Sequence, residues 1–292
     1  MALFPRCMVK VWISVPLVGI VPGACADVSV PAKEPPSVTN GSADPLARLS
    51  QSYGIEIITT DPPFPVTTLH GMITGKAAGQ GALDWYTPLF FQEFSLYPPT
   101  LVRRARLNRV VLCEDLSFAG QRRNAIPDFA HDTLYLDTTR GAYSPEYLRT
   151  VIHHEFFHII DYRDDGLVYS DHSWSTLNAS AMKYGDGGRN AQHRPEESLL
   201  VTTYPGFLDY YGTTGVEEDK AELFAHLIVR SSAVAARSRS DSVLMAKVWR
   251  LKRLMGEFCP EMNDGFWKRA ANLDRRSDNT MVLNRPLDPS IE

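Results

Sequence analysis

Residues 144–162 read Ser144-Pro145-Glu146-Tyr147-Leu148-Arg149-Thr150-Val151-Ile152-His153-His154-Glu155-Phe156-Phe157-His158-Ile159-Ile160-Asp161-Tyr162. The stretch opens as a helix should. Ser144 can cap it, Pro145 suits the first helical position and Glu146 faces the positive end of the dipole. His154 and His158 are four residues apart, so they share one helix face a turn apart. Two imidazoles so placed can share one tetrahedral zinc ion. Glu155 sits beside the first histidine, where it reaches a water on the metal rather than the metal, the place for a general base. The rest of the helix is apolar (Val151, Ile152, Phe156, Phe157, Ile159, Ile160). Burying unpaired polar groups is costly, which disfavours a merely solvated polar stripe here. His153 lies off the zinc face and reads as a structural histidine.

A hydrolytic zinc site needs a third protein ligand and one open position. No histidine follows at the short metzincin spacing. The candidate lies in Glu217-Glu218-Asp219-Lys220-Ala221-Glu222-Leu223-Phe224-Ala225-His226, an amphipathic helix with acids at its start. Glu218 and Glu222 share a face, as do Glu222 and His226. One of the two glutamates would bind zinc, and the others would orient the ligand imidazoles from behind. Asp161, one turn past His158, is suited either to that orienting task or to closing the helix end.

Taken together, His154-Glu155-Phe156-Phe157-His158-Ile159-Ile160-Asp161-Tyr162 and the later Ala221-Glu222-Leu223-Phe224-Ala225 resemble the lethal-factor-like gluzincin metallopeptidases. That family includes the toxin lethal-factor catalytic domain and secreted Pro-Pro endopeptidases. The resemblance implies that Glu222 is the third zinc ligand, with Glu218 as the fallback. It also implies an oxyanion-stabilising tyrosine before the second helix in a Tyr-Gly-x-Thr context, matched by Tyr211-Gly212-Thr213-Thr214, with Tyr210 beside it. In the family that tyrosine precedes the ligand by about two helical turns; Tyr211 precedes Glu222 by 11 residues. The chain is also similar to a group of exported bacterial zinc metallopeptidases carrying Glu-Asp-x-Ala-Glu-x-Phe-Ala and an intervening Trp-x-x-Leu-Asn, here Glu218–Ala225 and Trp174–Asn178. The likeness spans roughly residues 130–230 and implies a zincin-like domain, one Zn²⁺ per chain and a peptide or protein substrate.

Outward from these motifs, strands come early and helices late. Ile55–Thr60 reads as a strand ended by Asp61-Pro62-Pro63. Residues 82–107 read as helical, broken at Pro98-Pro99. Arg109–Cys113 reads as a short buried strand, and Thr133–Asp137 alternates as another; an extended substrate could pair with its edge, but a plain sheet strand is the preferred reading. Helices are expected over 217–231, 239–257 and 263–273. This order predicts an α+β fold with a small N-terminal sheet, an active-site helix and C-terminal helices. Residues 163–215 hold seven of the 19 glycines and few long apolar runs. A long loop of that kind is usually functional, and it is expected to wall the cleft and set specificity. Its aromatics (Trp174, Tyr184, Tyr204, Phe207, Tyr210) either line that cleft or form the loop's own small core, the second being the preferred reading.

The N-terminus is set apart. Arg6 and Lys10 precede the apolar run Val11–Val21, and Ala24-Cys25-Ala26 fits a small-x-small cleavage site, so residues 1–26 read as an export signal. A rival reading makes Cys25 a lipid-attachment cysteine that would anchor the chain to a membrane. Residues 27–50, with Pro31, Pro35, Pro36 and Pro45, read as a proline-rich arm before a metallopeptidase domain over 51–292. The expected location is secreted, periplasmic or envelope-bound. Loss of the leader takes the 292 residues to about 266, and loss of Arg6 and Lys10 with it takes the formal charge from −4 to −6. With a pI near 6.1 there is no basic excess to displace counterions, which excludes a nucleic-acid surface. Only Cys113 and Cys259 would remain, to pair under oxidising conditions or to lie buried as thiols. Two alternatives stand beside the endopeptidase: a non-catalytic zinc-stabilised binding module, and a zinc amidohydrolase acting on a non-protein amide.

Overall fold

A computed structural model describes residues 44–185, 200 and 202–275. The expected leader, Cys25 and most of the expected arm lie outside the described residues. The arm's last residues are a correction. Pro45–Tyr53 forms helix α1, with Asp44 accepting from the Leu46 N–H at 3.1 Å and Pro45 in the first turn. The four-residue spacing of Leu49 and Tyr53 gives this helix a buried face. The Tyr53 hydroxyl then donates to the carbonyls of Phe94 (3.0 Å) and Tyr97 (2.9 Å), so residues 45–50 belong to the domain.

Among the described residues seven strands form one sheet: β1 (Glu56–Ile58), β2 (Val66–Thr68), β3 (Gly71–Ala77), β4 (Arg109–Phe118), β5 (Gln121–Arg122), β6 (Ala125–Asp128) and β7 (Thr133–Asp137). The path runs β2-β3-β4-β7-β6, with β1 parallel to the start of β4 and β5 antiparallel to its end. Period-two alternation gives the sheet two apolar faces. Val110, Leu112, Leu134 and Leu136 face the helices, whereas Val111, Cys113, Ile126 and Tyr135 meet Ile73, Leu116, Phe64 and Val66 on the other side. β7 is the plain sheet strand of the preferred reading and offers no edge to a substrate: it lies between β4 and β6, and all five of its residues are buried. The strand on that side of the sheet is β6.

The helices that follow are α2 (Gln80–Phe94), α3 (Pro99–Arg104), α4 (Pro145–Asp165), α5 (His172–Ser175), α6 (Val216–Val229), α7 (Ser231–Ser238), α8 (Ser242–Phe258) and α9 (Asp264–Ala271). Pro98-Pro99 separates α2 from α3 because a proline ring blocks helix continuation but suits a first turn. The first expected C-terminal helix, 217–231, is α6, which Arg230 ends at φ −126°, ψ 38°; the short α7 that follows it, before α8, was not expected. The architecture is α+β, as the element order predicts. Phe156 and Phe157 of α4 pack on Phe94 and Phe224, with ring centroids 5.2 Å and 4.8 Å apart, which seats α4 between α2 and α6. Cys113 and Cys259 are both buried free thiols. Among the described residues no helix is long and apolar enough to cross a membrane.

Candidate metal centre

The first motif sits where the cap chemistry puts it. Ser144 Oγ accepts from the Tyr147 N–H at 3.2 Å and Pro145 occupies the first turn. At the other end Gly166 closes α4 at φ 78°, its N–H reaching the Tyr162 carbonyl. Between these ends the helix turns His154 and His158 to the same side. Their rings stand 4.7 Å apart at 79°, with the two Nε2 atoms 3.0 Å from each other. Both residues are buried, at 6% and 7% exposure.

The second motif supplies a carboxylate from α6, and it is Glu218. Its Oε2 lies 3.1 Å from His154 Nε2 and 3.5 Å from His158 Nε2. These three donor atoms converge on one point and could hold a metal ion. The expectation that Glu222 converges with them is corrected. Glu222 lies one turn farther along α6, behind His154, with Oε1 2.9 Å from Nδ1 of that imidazole. Its other oxygen is 3.1 Å from His226 Nε2, so His226 and Glu222 form the chain of contacts that orients the ring. Tyr211 precedes Glu218 by seven residues, about two helical turns, so no insertion separates tyrosine and carboxylate.

Tyr211 lies in a 3₁₀ turn, Tyr211–Thr213, just before α6. Its ring centroid is 5.9 Å from that of His154, and its hydroxyl hydrogen-bonds Glu218. Burial pushes the phenol well above its ordinary pKa, and the nearby charges of Glu218, Glu155 and Glu222 push it further, so it remains a donor. Tyr210, its neighbour, instead stacks at a tilt on Tyr204 with centroids 5.8 Å apart.

The electrostatics favour a cation at this point. Burial alone would lower the His154 pKa, but hydrogen bonds to Glu218 and Glu222 outweigh it and hold the imidazole well above its usual value. Burial opposes ionisation of Glu218 and Glu222, yet the imidazoles hold both carboxyls well below the ordinary range. Glu155 differs: burial raises its carboxyl, and His154 and His158 only partly offset that. Two imidazole nitrogens and a carboxylate oxygen in a buried, negatively biased pocket are the donor set of a zinc site with an open position. The residues present therefore fit a zinc ion.

The other expected partners behave differently. Asp161 holds no imidazole. Its carboxylate takes Lys220 Nζ at 2.7–2.8 Å, which ties α4 to α6. His158 Nδ1 is buried with no hydrogen-bond partner among the described residues. His153 is the satisfied structural histidine expected, with Nε2 3.0 Å from Glu93 and Nδ1 2.6 Å from the Tyr97 hydroxyl. Burial pushes the Glu93 carboxyl up, but hydrogen bonds from His153 and Arg275 prevail and bring it to about 2.

The described part of the long loop forms its own packing against α6. Trp174 is fully buried, its Nε1 donating to Asp219 Oδ2 at 2.7 Å. The Tyr184 hydroxyl donates to the same oxygen at 2.6 Å, and Tyr184 meets Phe207 edge-on at 5.9 Å. Lys247 of α8, also fully buried, completes the cluster 2.7 Å from Asp219 and 2.7 Å from the Gly206 carbonyl, over the Phe207 ring. Residues 186–199, which the sequence reading included in the cleft wall, lie outside the described residues. Lys247→Met should destabilise the fold by about 3–5 kcal/mol in urea unfolding, because it leaves the Asp219 charge buried and unpaired. A loss below about 1 kcal/mol would mean that Trp174 and Tyr184 suffice for Asp219.

Sequence reasoning missed Asp209. It is 1% exposed, accepts from the Gly212 N–H at 2.9 Å and has a carboxylate oxygen within 4.8 Å of donor atoms of Glu222 and His226. Only the fold brings it there, since nothing in Leu208-Asp209-Tyr210 marks it in the chain.

No protein-family model matches the chain, and no curated protein sequence is significantly similar to it. Among solved structures it is similar to a proposed zinc-binding metallo-peptidase from Bacteroides caccae, at 14% identity and a TM-score of 0.46, over 78% of this chain and 92% of that one. At that identity and TM-score the likeness is loose, and the chemistry rests on the convergence of His154, His158 and Glu218.

Proposed function

We propose that this chain is an exported zinc-dependent endopeptidase of the lethal-factor-like gluzincin kind, hydrolysing peptide bonds in a peptide or protein substrate. The observation that carries the reading is the convergence of His154 Nε2, His158 Nε2 and Glu218 Oε2 from two helices, with Glu155 and Tyr211 at its border. Zinc held by His154, His158 and Glu218 would supply Lewis acidity and lower the pKa of a bound water.

The chain's own residues do the rest. Burial raises the Glu155 carboxyl and so makes its carboxylate a better proton acceptor; its oxygen is the proton's station between the attacking water and the leaving amine. Tyr211 keeps its phenolic proton and can turn the hydroxyl from Glu218 to an oxyanion developing beside it. Glu222 Oε1, 2.9 Å from His154 Nδ1, stands behind the ring and would orient it with Nε2 toward the centre. The apolar packing of α4 and α6 around these groups limits water, which strengthens each polar contact.

Purified full chain should carry about one zinc per molecule and cut members of a diverse peptide library. A chelator should abolish the cleavage and added zinc should restore it. Zinc uptake with stability but no cleavage of any peptide would replace this reading by the non-catalytic zinc module. Hydrolysis confined to non-peptide amides would replace it by the amidohydrolase.

A further inference from the structure

We infer that Tyr143 is a specificity residue of the cleft: its exposed ring, stacked on Tyr147, receives an aromatic side chain of the substrate about three to four residues from the scissile bond. The inference rests on the reading of Glu155 as the base of a peptide-cutting site, and it names the kind of peptide that site takes.

The path of the substrate is read from α4. Among residues 147–160 only Tyr147, Val151 and Glu155 are not buried. They follow one another at intervals of four, so they form a single stripe along the helix. This stripe is the part of α4 that a chain lying over Glu155 can follow, and it runs toward the helix start. At a rise of about 1.5 Å per residue, the stretch from Glu155 back to Tyr147 covers about 12 Å. An extended peptide advances about 3.3 Å per residue, so a substrate whose reacting carbonyl lies at Glu155 reaches Tyr147 about three to four residues away.

The end of the stripe is built up rather than merely exposed. The Tyr143 ring is 81% exposed and stacks on that of Tyr147, 11° from parallel, with the centroids 6.4 Å apart. Tyr147 is itself pinned from two sides. Asn124 Nδ2, just before β6, donates to its hydroxyl at 2.5 Å. Gly141, at φ 86°, lies so close to the ring that a Cβ there would come 2.8 Å from Tyr147 Cδ1. Glycine is what permits both that backbone conformation and that approach. Beyond the pair, Tyr143, Ser144 and Pro145 border a cavity of about 960 Å³, so a longer peptide has room to continue.

Scattered exposed apolar side chains are ordinary on a protein surface. Tyr143 differs in its place, at the end of the stripe that starts from the base, and in its support, a second ring held by the sheet side and by the Gly141 loop. A ring backed in this way loses little freedom when another ring packs on it. Aromatic pairs attract by offset stacking or edge contact beyond the area they bury, which makes an aromatic residue the favoured occupant.

The test is cleavage-site profiling of a diverse peptide library by the zinc-loaded full chain, followed by kcat/KM for matched peptides with tyrosine or alanine at the position found. Wild type should favour Phe, Tyr or Trp about three to four positions from the cut, on one side of it. The tyrosine peptide should exceed the alanine peptide by about tenfold in kcat/KM. Tyr143→Ala should abolish that difference while zinc content and melting temperature stay close to wild type. Tyr143→Phe keeps the ring and should keep the ratio within about twofold. A ratio unchanged in Tyr143→Ala, or no aromatic preference at that distance in wild type, overturns the proposal while the endopeptidase reading stands. A zinc-loaded wild-type chain that cuts no peptide overturns both.

Discussion

Glu155→Gln should leave zinc binding and the melting temperature close to wild type while lowering kcat/KM for peptide cleavage by roughly 10²–10⁴-fold. Glu155 lies beside His154 on α4, but the three converging donor atoms belong to His154, His158 and Glu218. Its removal therefore costs no ligand. Glutamine keeps the size and the hydrogen-bonding ends of the side chain, so packing is preserved. It cannot take a proton from an attacking water or return one to the leaving amine. The environment sharpens the contrast. Burial raises the Glu155 carboxyl, and the neighbouring imidazoles only partly offset that. A raised carboxylate is a better proton acceptor than an ordinary one. Full peptide hydrolysis by the glutamine variant would sink the assignment of Glu155, and loss of zinc in that variant would show that it helps to hold the metal.

The second large effect separates the two glutamates of α6. Glu218→Ala should lose zinc to a mild chelator, by more than the roughly 100-fold upper range of an orienting residue. Glu222→Ala should fall within the roughly 10–100-fold range of such a residue. The reason is which nitrogen each carboxylate faces. Glu218 meets the Nε2 atoms of both imidazoles, at 3.1 and 3.5 Å. Glu222 meets only Nδ1 of His154, on the far side of the ring, at 2.9 Å. Chelator competition on the two variants, with their zinc-free melting temperatures as a control for folding, decides between them. The opposite ranking would return Glu222 to the metal, as the family resemblance implied.

Much of the site was legible because helix periodicity is local. Ser144-Pro145-Glu146 sets the start of α4, and the four-residue spacing of His154 and His158 then fixes their common face. The same rule put Glu218, Glu222 and His226 on one stripe of α6. It could not rank the two glutamates, since both point to the same side. That choice depends on how far α6 slides along α4, which the packing of Phe157 against Phe224 and the pairing of Lys220 with Asp161 determine. Asp161 was misplaced for the same reason: its natural partner was a lysine on another helix.

The sheet shows the matching limit. Thr133–Asp137 is a strand by its own pattern, yet its neighbours on both sides come from β4 and β6. Strand order is a property of pairings between distant segments, so an interior strand and an edge strand can read alike. The short β2, β5 and β6 carry little periodic signal, and α1 was hidden by the prolines before it.

By itself, then, the sequence determined the α+β order, the capped helix with His154, Glu155 and His158 on it, and the pair of acids on the second helix that could complete a metal site with them. Each of these rests on interactions between residues a few positions apart. Only the tertiary structure decided that Glu218 meets the imidazoles, that Glu222 and His226 stand behind His154, that Tyr211 stands two turns from the carboxylate it adjoins, and that Asp209 belongs to the site. Those outcomes depend on the register of α6 against α4, set by buried contacts between residues some 60 positions apart, which no local pattern encodes.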